Sequence, residues 1–124
     1  MVKRIVVVDD EQPIAELIVQ LLEFEGFAVE HCTDSAQAYR QIKEFAPHLV
    51  ILDLMMPNLD GWAVLEQLQK DHAMRQVRVI ICTAFGQEAF RRKKSLNRLD
   101  VPVLLKPFDI EDLLRMVHKT IGSP

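Results

Sequence analysis

The chain has 124 residues, of which 49% are hydrophobic and 27% charged, with a net charge of -3. That length suits one domain with one core and is too short for two, and the mild acidity gives no general attraction to nucleic acid or to an anionic membrane. Cys32 and Cys82 lack C-x-x-C spacing, which points to buried thiols rather than a disulfide framework or a zinc site.

Short apolar runs alternate with segments of helical period, the pattern of a parallel sheet covered on both faces. The first strand is expected over about Lys3 to Val8. It ends at Asp9-Asp10-Glu11, too soon for a signal peptide, and no stretch reaches the length of a membrane span, so a cytoplasmic protein is expected. A helix should open at Gln12-Pro13, where proline suits the first turn, and stop at Gly26. Its buried stripe reads Ile14, Leu17, Ile18, Leu21 and Leu22. Phe27 to His31 is a second strand, and Asp34 with Gln37 resembles a capping box for a helix running to about Phe45, ended by Pro47. Leu49 to Leu54 offers no polar face and reads as the central strand. Met56 to Gly61 is turn chemistry before a helix over Trp62 to Lys70. A fourth strand over Val77 to Cys82, a polar helix over Gln87 to Leu96 and a fifth strand over Val101 to Leu105 follow. Asp109 and Asp112 cap the last helix, which reaches about Ile121.

Five polar residues stand at the carboxyl ends of these strands: Asp9, Asp10, Asp53, Thr83 and Lys106. Ligands of open parallel sheets bind at that edge. Three clustered carboxylates repel unless a cation compensates, and Mg²⁺, a hard ion preferring oxygen ligands, suits them, with Mn²⁺ as a substitute. A carboxylate can also attack phosphorus, and Asp53, alone at the end of the central strand, suits that role. Lys106 and the Thr83 hydroxyl would bind phosphoryl oxygens. Taken singly, Asp10 reads equally well as a helix-start acid and Thr83 as a satisfied strand hydroxyl.

Val6-Val7-Val8-Asp9-Asp10-Glu11, Leu52-Asp53-Leu54-Met55-Met56-Pro57 with Asp60-Gly61, Thr83-Ala84 and Lys106-Pro107-Phe108 together resemble the receiver domain of two-component response regulators, along the whole chain. The resemblance implies a flavodoxin-like α/β fold, five parallel strands in order 2-1-3-4-5 with five helices, over residues 1–121, with 122–124 a tail or the start of a linker. It implies Asp53 as phosphoacceptor, Asp9 and Asp10 as the acidic pair at Mg²⁺, and the Met55 carbonyl as a further ligand. Thr83 becomes the switch hydroxyl, Ala84 the small neighbour leaving the phosphoryl group room, and Lys106 the phosphate-binding cation before a cis peptide to Pro107. The implied partners are a sensor histidine kinase or histidine phosphotransfer protein and an unidentified downstream protein. Such a domain is a switch that catalyses only its own phosphorylation and dephosphorylation, and it signals through helix 4, strand 5 and helix 5.

Departures from the family pattern are also legible. Val103 occupies the usual aromatic switch position, so a relay from Thr83 to an aromatic ring cannot operate in its usual form. Ser95 to Asp100 lacks the small Gly-Ala pair that commonly precedes the fifth strand, which predicts an irregular end to the fourth helix. Met55 and Phe85, at two positions that influence dephosphorylation, are apolar and are expected to crowd the attacking water. The run Arg91-Arg92-Lys93-Lys94 reads either as a solvated helix face or as an anionic docking patch, and with the acidic start of the last helix it would allow a homodimer. Trp62 reads as core packing or as a fluorescent reporter beside the site. The alternatives are a phosphorylation-independent interaction module of the same fold and, below it, an aspartyl-phosphate hydrolase of the haloacid dehalogenase type, which would need an acid at Met55. A nucleotide-binding domain ranks lower still, since no G-x-G-x-x-G or G-x-x-x-x-G-K-[ST] motif occurs.

Overall fold

The computed structural model of the chain describes residues 2–54, 61–95 and 101–124. Strands β1 (Arg4–Val8), β2 (Ala28–Cys32), β3 (Leu49–Leu52), β4 (Arg78–Thr83) and β5 (Val103–Leu105) form one parallel sheet in the order β2-β1-β3-β4-β5. Helices α1 (Gln12–Glu25), α2 (Ser35–Phe45), α3 (Gly61–Lys70), α4 (Gly86–Ser95) and α5 (Ile110–Ile121) connect or follow the strands, and a 3₁₀ turn, His72–Met74, precedes β4. This is the flavodoxin-like order expected from the resemblance.

Successive strand residues point to opposite faces, which divides the core in two. On one side Ile5, Val7, Ile51 and Ile80 pack with Ile18 and Leu22 of α1 and Leu113 and Val117 of α5. On the other Val6, Val50, Leu52 and Ile81 pack with Ile42 of α2, Val64 and Leu68 of α3, and Ala89 of α4. Every residue of β3 is buried, as its unbroken apolar run predicts. Each such aliphatic side chain contributes roughly 2 kcal/mol on burial, so the two faces of the sheet hold the fold more than helix propensity does.

Several local expectations need correction. Leu17 is 45% exposed, and Ala15, Ile18 and Leu22 line the buried face of α1. The helix carries two adjacent apolar stripes, and its period alone does not say which one meets the sheet. Gly26 does end α1, at φ 110, where its N–H bonds back to the last turn. Asp34 caps α2 by accepting from the Ala36 N–H at 3.0 Å, and α2 runs to Phe45 as expected, with Ala46 as its C-cap at φ 51 just before Pro47. Asp109 occupies the N-cap position of α5 without a side-chain cap bond, while Asp112 lies inside the helix and pairs with Arg115 at 2.8 Å. β3 stops at Leu52 and β4 continues through Thr83, so Thr83 is a strand residue. The expectations for Met55 to Asp60 and for 96–100 lie outside the described residues.

Candidate phosphoryl-acceptor site

Three backbone hydrogen bonds carry the sheet one residue past its strands at the carboxyl edge. The Asp9 N–H donates to the Cys32 carbonyl at 3.1 Å, Asp53 N–H to Val8 at 2.9 Å, and Lys106 N–H to Thr83 at 2.9 Å. Asp9, Asp53 and Lys106 are thus each fixed to the neighbouring strand, and their side chains converge. Asp9, Asp10 and Asp53 each offer one carboxylate oxygen within 4.8 Å of the others. Asp9 and Asp53 are only 2% and 4% exposed, and two buried carboxylates at this range need a counter-charge.

Lys106 supplies it. Its Nζ lies 2.8 Å from Asp9 Oδ2 and 3.4 Å from Asp53 Oδ2. Burial opposes the ammonium form, but the hydrogen bond from Lys106 to Asp9 and the charges of Asp9 and Asp53 outweigh it and hold the lysine above its ordinary pKa. The three-carboxylate donor set suits a hard divalent cation, which would take over part of the compensation that Lys106 provides. The peptide bond from Lys106 to Pro107 is cis, as the resemblance implies.

Thr83 is fully buried, and its hydroxyl accepts the Phe85 N–H at 3.1 Å. Ala84 is exposed beside it, and the Phe85 side chain is 51% exposed. Val103 is half-buried, packing on the α2, α3 and α4 side of the core. Trp62 is buried in that same core with Arg92 over its ring, 4.8 Å from the centroid, so Arg92 does not join Arg91 and Lys94 on an open helix face. Met55, expected to lend a carbonyl, lies outside the described residues.

Three contributors escaped sequence reasoning. Glu11 Oε1 approaches Lys106 Nζ at 3.4 Å, a third carboxylate on the same cation. Cys82 is buried under the cluster, and burial pushes its thiol up to about 12 although Lys106 draws it down. Gly61 has the clearest signal in hindsight. A Cβ there would stand 2.3 Å from the Asp53 carbonyl oxygen and 2.7 Å from Leu54 Cα, while its N–H bonds the Leu54 carbonyl at 3.0 Å. Only glycine lets α3 start against the backbone that carries Asp53.

The response regulator receiver domain model matches residues 5–118. The chain belongs to the response regulator receiver family. It is 32% identical to the chemotaxis protein CheY of Bacillus subtilis over 98% of this chain and 100% of that protein. It is also 32% identical to the DNA-binding dual master transcriptional regulator RpaA of Synechocystis, over 93% of this chain but 47% of that protein. The chain therefore spans less than half of RpaA, and likewise 37% of the regulatory protein VanRc of Enterococcus gallinarum. Among solved structures, the response regulator TrrA of Thermotoga maritima, in complex with Mg²⁺-BeF, superposes with a TM-score of 0.82 at 30% identity, over 96% of this chain and 99% of that one. Receiver domains are signalling modules that bind Mg²⁺ at an acidic pocket, and this receiver has the aspartate cluster in place. Among the described residues no helix is long and apolar enough to cross a membrane.

Proposed function

We propose that this receiver accepts a phosphoryl group on Asp53 from the phosphohistidine of a sensor kinase or phosphotransfer protein, in a Mg²⁺-dependent reaction. The observation that supports this best is the Lys106 ammonium held 2.8 Å from Asp9 and 3.4 Å from Asp53 within a three-carboxylate cluster. A pure interaction surface has no use for buried charges so arranged, whereas phosphoryl transfer consists largely of positioning and charge neutralisation.

In the reaction an Asp53 carboxylate oxygen attacks phosphorus, the P–N bond breaks, and the imidazole leaves with the electron pair and is protonated. Asp9 and Asp10, with the Met55 carbonyl, would hold Mg²⁺, which neutralises charge on the transferring group. Lys106 turns from Asp9 to a phosphoryl oxygen, Thr83 donates its hydroxyl to another, and Ala84 leaves them space. While it donates, the Thr83 hydroxyl can keep accepting the Phe85 N–H on a lone pair, which ties the phosphoryl group to the start of α4. A movement of Thr83 toward the phosphoryl group would therefore pull on the start of α4, where Gly86 packs on Leu105, which offers a route to the α4, β5 and α5 face without an aromatic residue at Val103. The output is altered affinity for a downstream protein on that face, as an equilibrium shift rather than a new structure. A homodimer through the same face is one form that output can take.

Radiolabelled transfer from a phosphohistidine donor tests the reading. Label should reach the wild-type chain in Mg²⁺, should stop with EDTA, and should be absent from Asp53→Asn. Equal labelling of Asp53→Asn would refute the acceptor assignment.

A further inference from the structure

A cavity of about 760 Å³ opens at the amino end of the sheet, away from the aspartates. It exists because β5 pairs only with Ile81 to Thr83 among the described residues, while Arg78 to Ile80 pair with β3 alone. The gap is walled by apolar side chains, Val79 and Leu104 each 6% exposed together with Pro102 and Met116. Among the described residues, four cations, Arg75, Arg78, Arg115 and Lys119, and one acid, Asp112, line it, on a chain whose net charge is -3. Asp112 is bound to Arg115, and Arg75, Arg78 and Lys119 have no ion-pair partner among the described residues.

Like-charged side chains around one concavity raise the local concentration of anions there. The volume falls within the ~300–1,000 Å³ typical of small-molecule sites, which pair an apolar wall with a few placed polar groups. We propose that this cavity binds a nucleotide. Its flat ring system lies on the Val79, Leu104 and Met116 wall, and its phosphates are taken by the arginine forks with Lys119 as a further point charge. Inorganic phosphate would leave the apolar wall wet, and an acidic peptide would bring anionic groups but no flat ring to cover that wall. The inference does not depend on Asp53 being phosphorylated.

Equilibrium dialysis of the chain with ATP and with GTP, in EDTA so that no metal complex of the nucleotide forms on the aspartates, tests this. One saturable site is expected, with pyrophosphate and adenosine each weaker by about tenfold or more, since either lacks one half of the contacts. Arg78→Glu and Arg115→Glu should each weaken the nucleotide by about tenfold or more, and Lys119→Gln by severalfold. Asp53→Asn should bind like wild type, and thermal unfolding confirms that each variant is folded. Absence of saturable binding by either nucleotide, binding that survives in folded arginine variants, pyrophosphate as tight as ATP, or a polyglutamate peptide tighter than both would overturn the proposal.

Discussion

Along the carboxyl edge of the sheet, the ends of β1 and β3 and the region of β4, α4 and β5 are built to different tolerances. On the β1 and β3 side, Asp9 and Asp53 are buried, tied by backbone hydrogen bonds to adjacent strands, balanced by Lys106, and backed by Gly61 in direct contact with main chain. On the β4, α4 and β5 side, Phe85, Phe90 and Leu105 are each at least half exposed, Val103 is only partly buried, and Gly86 rests on a leucine side chain. Chemistry needs atoms held to a fraction of an ångström, whereas a switch needs an element with two arrangements of similar energy. The contrast teaches which half of this receiver can change with little loss of the other.

Lys106→Met should have the largest effect on that contrast. It leaves two buried carboxylates without their cation and should cost about 3 kcal/mol in urea unfolding, with part regained in Mg²⁺. A variant as stable as wild type without metal would show that the lysine is not the counter-charge. Next comes a pair of glycine replacements. Gly61→Ala drives a Cβ into backbone at 2.3 Å and should cost about 2 kcal/mol and slow acceptor phosphorylation, because Asp53 must shift. Gly86→Ala meets only the end of the half-exposed Leu105 side chain at 2.4 Å, which can rotate, and should cost less than about 1 kcal/mol. Equal losses at the two glycines would erase the difference between the regions.

Smaller still is a kinetic effect. Phe85→Glu replaces an apolar neighbour of the acceptor by a group that can orient water, and should shorten the lifetime of the aspartyl phosphate severalfold, as followed by loss of label. An unchanged decay rate would remove Phe85 from that role. The smallest effect is in alkaline unfolding. Burial raises the Cys82 and Cys32 thiols, so folding favours their protonated form, and this contribution is complete below the unfolded thiol value of roughly 8.5 and fades as pH rises past it. Lys106, also raised, adds its own loss above roughly 10.4. Replacing both cysteines by alanine should flatten the first decline and leave the second, as read from unfolding midpoints across pH.

Strand positions and the gathering of Asp9, Asp53 and Lys106 at one edge were readable because strand ends carry both a period change and unusual polar side chains. What escaped depended on distance in sequence. Leu17 and Ile18 are equally apolar, and only the packing of α1 on the sheet separates exposed from buried. Glu11 looked like part of an acidic loop until Lys106, 95 residues away, came within 3.4 Å. Gly61 read as turn chemistry, whereas its function is to clear the Asp53 backbone. The amino-end cavity is assembled from α5, β4 and the approach to β5, with no motif of its own.

The central claim is that Asp53, among all the acids of this chain, is the phosphoryl acceptor. Acetyl phosphate with Mg²⁺, followed by intact mass, addresses it directly without any partner protein. The account predicts a single phosphate-sized gain in wild type and none in Asp53→Ala. No gain in either, or the same gain in both, would contradict it.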